Sequence, residues 1–289
     1  MDLQTLRFFK EIADTGSFTA ASENLHYAQS NLSTQIMHLE EELGSKLFYR
    51  NKRGVTLTSK GITFYEYASR ILQLTEESVS VMHDTDHPRG SLTIGSIEAP
   101  ALSDLPRLLG RYHMKYPEVK LSLQTDMNDV FPPLVLNHKL DGAFIVGPAA
   151  HPLLNDILLK KDNLILVGNS FGDSEDSERI LRDRNLITFT EGSAFRKRME
   201  LLLMSKSILY TNRLTVFNSL GAMISNIIAG LGYGYLPRSI AQNYINLNLM
   251  KEYPMDDPYS EIDVVFIYHK EHIMDAAFRL FLETLEAGL

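Results

Sequence analysis

Seven side chains between Leu25 and Leu39 have the chemistry of recognition: Gln29, Ser30, Asn31, Ser33, Thr34, Gln35 and His38. All are amides, hydroxyls or imidazoles, able both to donate and to accept hydrogen bonds. The stretch contains no Lys, Arg, Asp or Glu, whereas a merely solvated helix face usually carries them. Base edges in a major groove show a distinct donor and acceptor pattern for each pair, and reading them requires such groups. A second set follows directly. From Leu43 to Lys60 there are five cations (Lys46, Arg50, Lys52, Arg53 and Lys60) and no acid, a set suited to phosphates. Base reading with phosphate holding is one candidate function, and a helical hairpin docking another protein is its competitor.

These residues need a scaffold that presents them together. Ser17 can cap a helix whose apolar side includes Phe18, Ala21 and Leu25, and His26-Tyr27 interrupts it. A second helix opens near Ala28, with Leu32, Ile36, Leu39 and Leu43 on one face and the polar set opposite. Gly44 can stop it. Two helices joined by a short turn, the second polar outward, read as a helix-turn-helix. Leu3, Leu6, Phe9, Ile12 and Ala13 predict an earlier helix packed on the pair. Leu47–Tyr49 and Val55–Leu57 read as short strands around a Lys52-Arg53-Gly54 turn, a cationic wing. Thr58 can cap a long helix running to about Asp84, with Phe64, Tyr67, Ala68, Ile71, Leu74, Val81 and Met82 as its stripe. That stripe has no other partner in sequence and is expected to pair with a second copy. His87-Pro88-Arg89-Gly90 marks a boundary.

Charge follows the same division. The chain of 289 residues has a net charge of −8, yet residues 1–60 hold seven Lys/Arg and seven Asp/Glu. The remaining residues carry the whole acidic excess, as expected of a DNA module attached to a domain with another task. There is no cysteine, which excludes disulfides, thiol catalysis and cysteine metal sites. The opening MDLQTLRFFKEIADTG is charged and helix-patterned rather than a signal peptide. No apolar run approaches the roughly 18 residues of a membrane span, so a cytoplasmic protein without membrane contact is expected.

From Ser91 strands alternate with helices. The pattern predicts strands at Leu92–Gly95, Val119–Gln124, Gly142–Val146, Leu164–Val167, Leu186–Phe189, Arg213–Phe217 and Val264–Tyr268. Helices are expected at Pro100–Tyr116, Pro132–Asn137, Ser177–Arg184, Ala194–Met204, Ser219–Ala229, Arg238–Asn243 and Ile273–Glu286. Such alternation means an α/β sheet with helices on both faces. In these sheets ligands sit at the carboxyl ends of strands, beside helix starts. Gly95-Ser96-Ile97-Glu98-Ala99-Pro100 is one such place, where unpaired amides and the Ser96 hydroxyl can cradle an anion. Thr190-Glu191-Gly192-Ser193-Ala194-Phe195-Arg196 is another, and Arg196 can reach a carboxylate. Glu98 and Glu191 either pair with Arg196 or meet an amine on the ligand. Asn218 and Ser219 either bind the ligand or cap the helix after them.

The run from Leu3 through Phe9, Gly16-Ser17-Phe18, Ala20-Ala21, Gln29-Ser30, Leu39-Glu40, Leu43-Gly44, Leu47-Phe48, Arg50 and Leu57-Thr58 to Gly61 resembles the winged helix of LysR-type transcriptional regulators. LTIGS, LPRLLGRYHMKYPEV, KLDGAFIVGP, HPLL and IAGLGYGYLPRS resemble that family's effector domain, so the likeness covers nearly the whole chain. It implies an α+β multidomain fold: a winged helix-turn-helix over 1–58, a dimerising linker helix and hinge over 59–89, and an effector domain over 90–289. The last resembles a periplasmic binding protein, with subdomains at 90–161 plus 267–289 and at 162–266, joined by strands crossing near Lys160–Asp162 and Val264–Tyr268. The implied partners are double-stranded promoter DNA, a small effector, further copies of the chain in a dimer or tetramer, and RNA polymerase. Candidate DNA contacts are the seven groups above with Ser17, Thr19, Arg50, Lys52, Arg53 and Thr58. Candidate effector contacts are Ser96, Ile97, Glu98, Ala99, Val146, Gly147, Ser193, Phe195, Arg196, Asn218 and Ser219, and a carboxylated metabolite is the expected ligand.

Other chemistry is not supported. Gly230-Leu231-Gly232-Tyr233-Gly234 echoes a dinucleotide fingerprint, but a helix precedes it and a strand follows, the reverse of the required order. His269 to His272 lacks the spacing of a zinc helix, and neither a GxSxG elbow nor a P-loop occurs. No cofactor, metal or catalytic activity is expected. The alternative reading is a solute-binding or enzymatic α/β protein with an N-terminal docking module.

Overall fold

A computed structural model of the chain describes residues 1–51, 54–82, 88–171, 176–209 and 213–288. The chain divides into two compact units, Met1–Asp84 and Thr85–Leu289. Lys52, Arg53 and the segment 83–87, including His87, lie outside the described residues.

The first unit is built on three helices, α1 (Leu3–Thr15), α2 (Phe18–Leu25) and α3 (Gln29–Glu42). Asp2 accepts from the Thr5 amide to open α1, and Gly16 closes it in the left-handed region at φ 63°. Ser17 caps α2 by accepting from the Ala20 amide, as its position foretold. Leu6, Phe9 and Ile12 of α1 pack on Leu32, Ile36 and Leu39 of α3 and on Phe18 and Ala21 of α2. Leu43, expected on the same face, lies one residue beyond α3 and is 39% exposed. Strands β1 (Phe48–Asn51) and β2 (Gly54–Leu57) pair antiparallel, Phe48 opposite Leu57. The wing is fixed to the body where the Val55 amide donates to the Gly16 carbonyl at 2.9 Å. Gly54 is needed there: its φ is 134°, and a Cβ would stand 2.8 Å from the Gly16 oxygen.

Helix α4 (Ser59–Met82) follows. Thr58 opens it, accepting from the Gly61 amide while its hydroxyl donates to the Lys46 carbonyl. The stripe on α4 has a partner after all in its first half. Ala68 and Leu72 are buried in the core of the unit, with Phe64 and Ile71 packed at its margin. Tyr67 and Leu74 remain exposed, as does Ile62.

The second unit contains one nine-stranded sheet. Strands β3 (Gly90–Ser96), β4 (Val119–Thr125) and β5 (Gly142–Val146) are parallel, with β3 in the middle. They alternate with α5 (Glu98–Ser103), α6 (Leu105–Lys115), a 3-10 turn (Asn128–Val130) and α7 (Phe131–Leu136). One helix was expected over 100–116; two form, broken at Asp104. Pro106 in the first turn of α6 has no amide to donate to Leu102 and its ring crowds that carbonyl.

Strand β6 (Leu154–Asn169) is 16 residues long, four times the short strand expected over 164–167. Its first half pairs antiparallel with β11 (Glu261–His269) and its second half with β9 (Tyr233–Pro237) and β10 (Met250–Tyr253). β10 was not expected at all. Strands β7 (Leu186–Phe189) and β8 (Leu214–Phe217) complete a second parallel set with β9. Between these run α8 (Ser177–Asp183), α9 (Ala194–Ser205), α10 (Leu220–Ile228) and α11 (Arg238–Asn246). The closing helix α12 (Ala276–Glu286) starts three residues later than expected, where Asp275 caps it by accepting from the Phe278 amide. Two lobes result, one around β3–β5 and one around β7–β9, joined by β6 and β11 running side by side.

Candidate functional site

Two places meet chemical requirements, one in each unit. In the first, α3 turns Gln29, Ser30, Asn31, Thr34 and His38 to solvent, with Ser33 and Gln35 half-buried at the margins. Thr34 spends its hydroxyl on the Ser30 carbonyl at 2.9 Å. The side chains of Gln29, Asn31 and Gln35 make no hydrogen bond to another described residue, so their amides are free for a ligand. Nothing apolar competes along that face except Met37. Arg50, on β1, lays its guanidinium 4.6 Å from the centre of the Phe18 ring, at the start of α2. This stacking places a cation against the residue between Ser17 and Thr19 in sequence. Thr58 does not belong to the set. It is buried, and its hydroxyl is committed to the Lys46 carbonyl and the Gly61 amide. Lys52 and Arg53, expected at the wing tip, lie outside the described residues.

The wing is held by a residue that the sequence placed in the family pattern without a role. Glu40, on the inner side of α3, is 4% exposed. One carboxylate oxygen accepts from the Leu47 and Phe48 amides at 2.8 and 3.3 Å, and the other from Lys46 at 2.8 Å. Burial pushes its carboxyl up, but the Lys46 ammonium and the two amides outweigh that and hold it below the usual range. Recognition helix and wing are thereby tied through a single carboxylate.

In the second unit a cavity of about 450 Å³ opens between the lobes. One wall is the end of β3 and start of α5 (Ile97, Glu98, Ala99) with the end of β4 and the turn after it (Thr125, Asp126, Met127, Asn128). The other wall is the end of β7 (Phe189, Thr190), the start of α9 (Ser193, Ala194, Phe195) and the residues before α10 (Asn218, Ser219). All are carboxyl ends of strands and amino ends of helices, where the fold class places ligands. Seven of the residues expected to touch an effector are on these walls: Ile97, Glu98, Ala99, Ser193, Phe195, Asn218 and Ser219.

Four are not. Ser96 is fully buried and its hydroxyl donates to the Ile97 carbonyl at 2.7 Å. Arg196 turns away: its Nε donates to Glu200 at 2.8 Å, one turn along α9, and another nitrogen lies 3.9 Å from Glu191. Val146 and Gly147 stand behind Asn128, whose amide oxygen accepts from the Val146 amide at 2.7 Å. The expectation of a cap at Ser219 also changes. Its hydroxyl does not cap α10; it donates to Glu98 at 3.3 Å, and Glu98 also accepts from the Leu220 amide at 2.5 Å. Thr125, Asp126, Met127 and Asn128 were missed altogether. The available signal was their position after a strand, but that gains meaning only when β4 is known to lie next to β3. Neither Lys nor Arg lines the cavity among the described residues, and among them no group of His, Asp or Glu is arranged to hold a metal ion. No described helix is long and apolar enough to cross a membrane.

Residues 3–62 match the family described as bacterial regulatory helix-turn-helix protein, lysR family, and residues 85–289 match the LysR substrate binding domain. The chain belongs to the LysR family of transcriptional regulators. It is 36% identical over 288 residues to the HTH-type transcriptional regulator CzcR of Bacillus thuringiensis subsp. konkukian, covering 99% of this chain and 97% of that protein. To the HTH-type transcriptional regulator YofA of Bacillus subtilis it is 31% identical over 285 residues, covering 99% and 98%. Among solved structures, full-length CbnR in complex with its target DNA aligns with a TM-score of 0.73 at 23% identity, covering 99% of each chain. Full-length OxyR from Pseudomonas aeruginosa aligns with a TM-score of 0.74 at 21% identity, covering 99% and 95%. As a LysR-family member the chain is a regulator rather than an enzyme, with a helix-turn-helix DNA-binding domain and an effector-binding domain.

Proposed function

We propose that this regulator reads promoter DNA through the outward face of α3 and responds to a small carboxylated metabolite bound in the cavity between its lobes. The observation that carries the reading is the free amide and hydroxyl face of α3 beside a stacked Arg50. Gln29, Asn31, Ser33 and Gln35 meet base edges. Arg50, with Lys52 and Arg53, holds the backbone on either side. The chain acts as a dimer, joined in part by Tyr67 and Leu74 on the exposed side of α4, and dimers associate into a tetramer. That full-length CbnR has been solved on its target DNA agrees with a DNA-reading role for the shared fold.

The ligand pose departs from an ion pair with Arg196, since Glu200 already engages that side chain. A carboxylate is instead held by dipoles. Ala194 and Phe195, at the helix start where amides are unpaired, line the cavity with Thr190 and with Ser193, whose oxygen caps the same helix. Donor groups elsewhere on the ligand meet Glu98 and Asp126. Thermal shifts of the full chain against a panel of small acids, amines and sugars test this. Acids are expected to stabilise, and less so in Thr190→Val. Stabilisation by amines alone would replace the carboxylate with a cationic effector seated on Glu98 and Asp126.

A further inference from the structure

Helix α10 begins with a substitution of partners. A helix start leaves amides unpaired, and the residue just before it ordinarily supplies the cap from its own side chain. Ser219 occupies that place and does not do so. Its hydroxyl donates to Glu98 at 3.3 Å, and the Leu220 amide donates to the other oxygen of Glu98 at 2.5 Å. Glu98 lies about 120 residues earlier in the sequence, in the first turn of α5, on the opposite wall of the cavity. One carboxylate therefore spans the cleft and takes the positive end of a helix in the other lobe.

A second tie between the lobes sits at the crossing strands. Lys160, on β6, lies 2.5 Å from Asp104 at the α5–α6 junction and 3.1 Å from the Ser239 hydroxyl on α11. That tie is away from the cavity lining, whereas Glu98 is part of it. Of these two, the Glu98 tie is the one open to displacement by whatever enters the cavity.

Releasing it leaves neither lobe with an unmet need. Ser219 is already in extended backbone, at φ −132° and ψ 132°, the conformation from which a serine caps its own helix. With the carboxylate gone, the Leu220 amide and Glu98 would both be solvated in the open cleft, and the freed Ser219 hydroxyl could accept from an amide two or three residues on, as a serine cap does. Two arrangements thus differ in what meets the start of α10, Glu98 across the cleft or water with the local serine, which is what a two-state element requires.

We infer that Glu98 is a latch: its carboxylate, seated on the start of α10, holds the lobes together until another donor takes it. The inference rests on the cavity being the effector site for its regulatory meaning, but the latch itself is defined without any ligand. An effector donor group that takes Glu98 breaks the latch as it fills the cleft, so release and binding are one event.

The test uses the full chain, which has no native cysteine. Gln124→Cys on β4 and Lys197→Cys on α9, both exposed, carry spin labels, diluted with unlabelled protein so that only distances within one chain are read. The ligand-free wild type is expected to give one narrow distance distribution by pulsed electron paramagnetic resonance. Losing a charge-assisted hydrogen bond, about 1.5–3 kcal/mol, corresponds to a rise of ten-fold or more in the ratio of open to closed forms. Glu98→Ala should therefore add a longer component, and Glu98→Gln, which keeps one acceptor, a smaller one. Ser219→Ala, which removes only the 3.3 Å contact, should change little. Glu98→Gln is nearly the same shape and decides the matter should Glu98→Ala fail to fold, as circular dichroism would show. A distribution unchanged in the Glu98 variants, or a wild type already spread to long distances, overturns the latch. Because no ligand is added, that failure is separate from failure of any effector to bind.

Discussion

Replacing Glu40 should loosen the DNA-binding unit far more than the loss of an ordinary helix-surface carboxylate would. The residue is 4% exposed and serves three donors. Lys46 is 72% exposed, so its pairing is screened by solvent and contributes about 0–1 kcal/mol. The Leu47 and Phe48 amides are the larger part. Stranding a buried donor costs about 1–3 kcal/mol, and Glu40→Ala strands two, for a loss of about 2–6 kcal/mol. Glu40→Gln retains one oxygen as acceptor but not the charge, for a loss of about 1–2 kcal/mol. Domains are typically stable by about 5–15 kcal/mol, so the alanine variant gives up a large share of that margin. The assay is urea unfolding together with amide exchange at Leu47 and Phe48. Both amides should exchange faster in each variant, alanine beyond glutamine, and duplex affinity should fall in the same order because the wing loses its anchor. The folded-state carboxyl is held low, so this stabilisation is present above the unfolded value, about 4.3, and fades as pH falls through the folded value. An alanine variant within 0.5 kcal/mol of wild type, roughly the spread of neutral surface changes, would refute the accounting.

Two further outcomes are expected. His272 is mostly buried against the Phe278 ring, and burial, with His138 and His269 beside it, pushes its imidazole down to about 4. The unfolded chain takes up a proton near pH 6.5 and the folded one does not, so stability should drop by about 3 kcal/mol as pH falls from 6.5 to 4; His272→Gln should flatten that part of a thermal-stability profile, and an equal slope in both proteins would exclude His272 as its origin. Tyr67→Lys with Leu74→Lys, both on the exposed side of α4, should lower the mass seen by light scattering and weaken duplex binding at least ten-fold; an unchanged mass would move the dimer contact elsewhere.

Much of this structure could be read from residue order, and the larger exceptions depend on partners from distant segments. Leu32, Ile36 and Leu39 have helical spacing and face the core, and β5 is a run of apolar residues that forms a strand with the expected ends. Local pattern was enough in both. It failed at β6, because Lys160, Lys161, Asp162 and Asn163 interrupt the apolar run where the strand crosses between lobes; their partners, Asp104, Ser239 and Glu261, come from distant segments. The cavity divides in the same way. The starts of α5 and α9 announce themselves as strand–helix turns. Asp126 and Asn128 join them only through the pairing of β3 with β4. Arg196 has a carboxylate four residues away, and that local pair displaced the expected ligand contact.

A division of labour in which α3 reads bases while the wing grips phosphates can be tested by duplex selection with two single variants. Wild type, Gln29→Ala and Arg50→Ala are each used to select duplexes from a randomised pool, and affinities for the winners are measured across a salt series. Gln29→Ala should lose preference at particular base positions, by about 1–3 kcal/mol each, with the salt dependence kept. Arg50→Ala should bind all duplexes more weakly, keep the preferred sequence, and show a salt slope shallower by about one. Gln29→Ala and Arg50→Ala selecting the same sequences as wild type, with equal losses on every duplex, would contradict it.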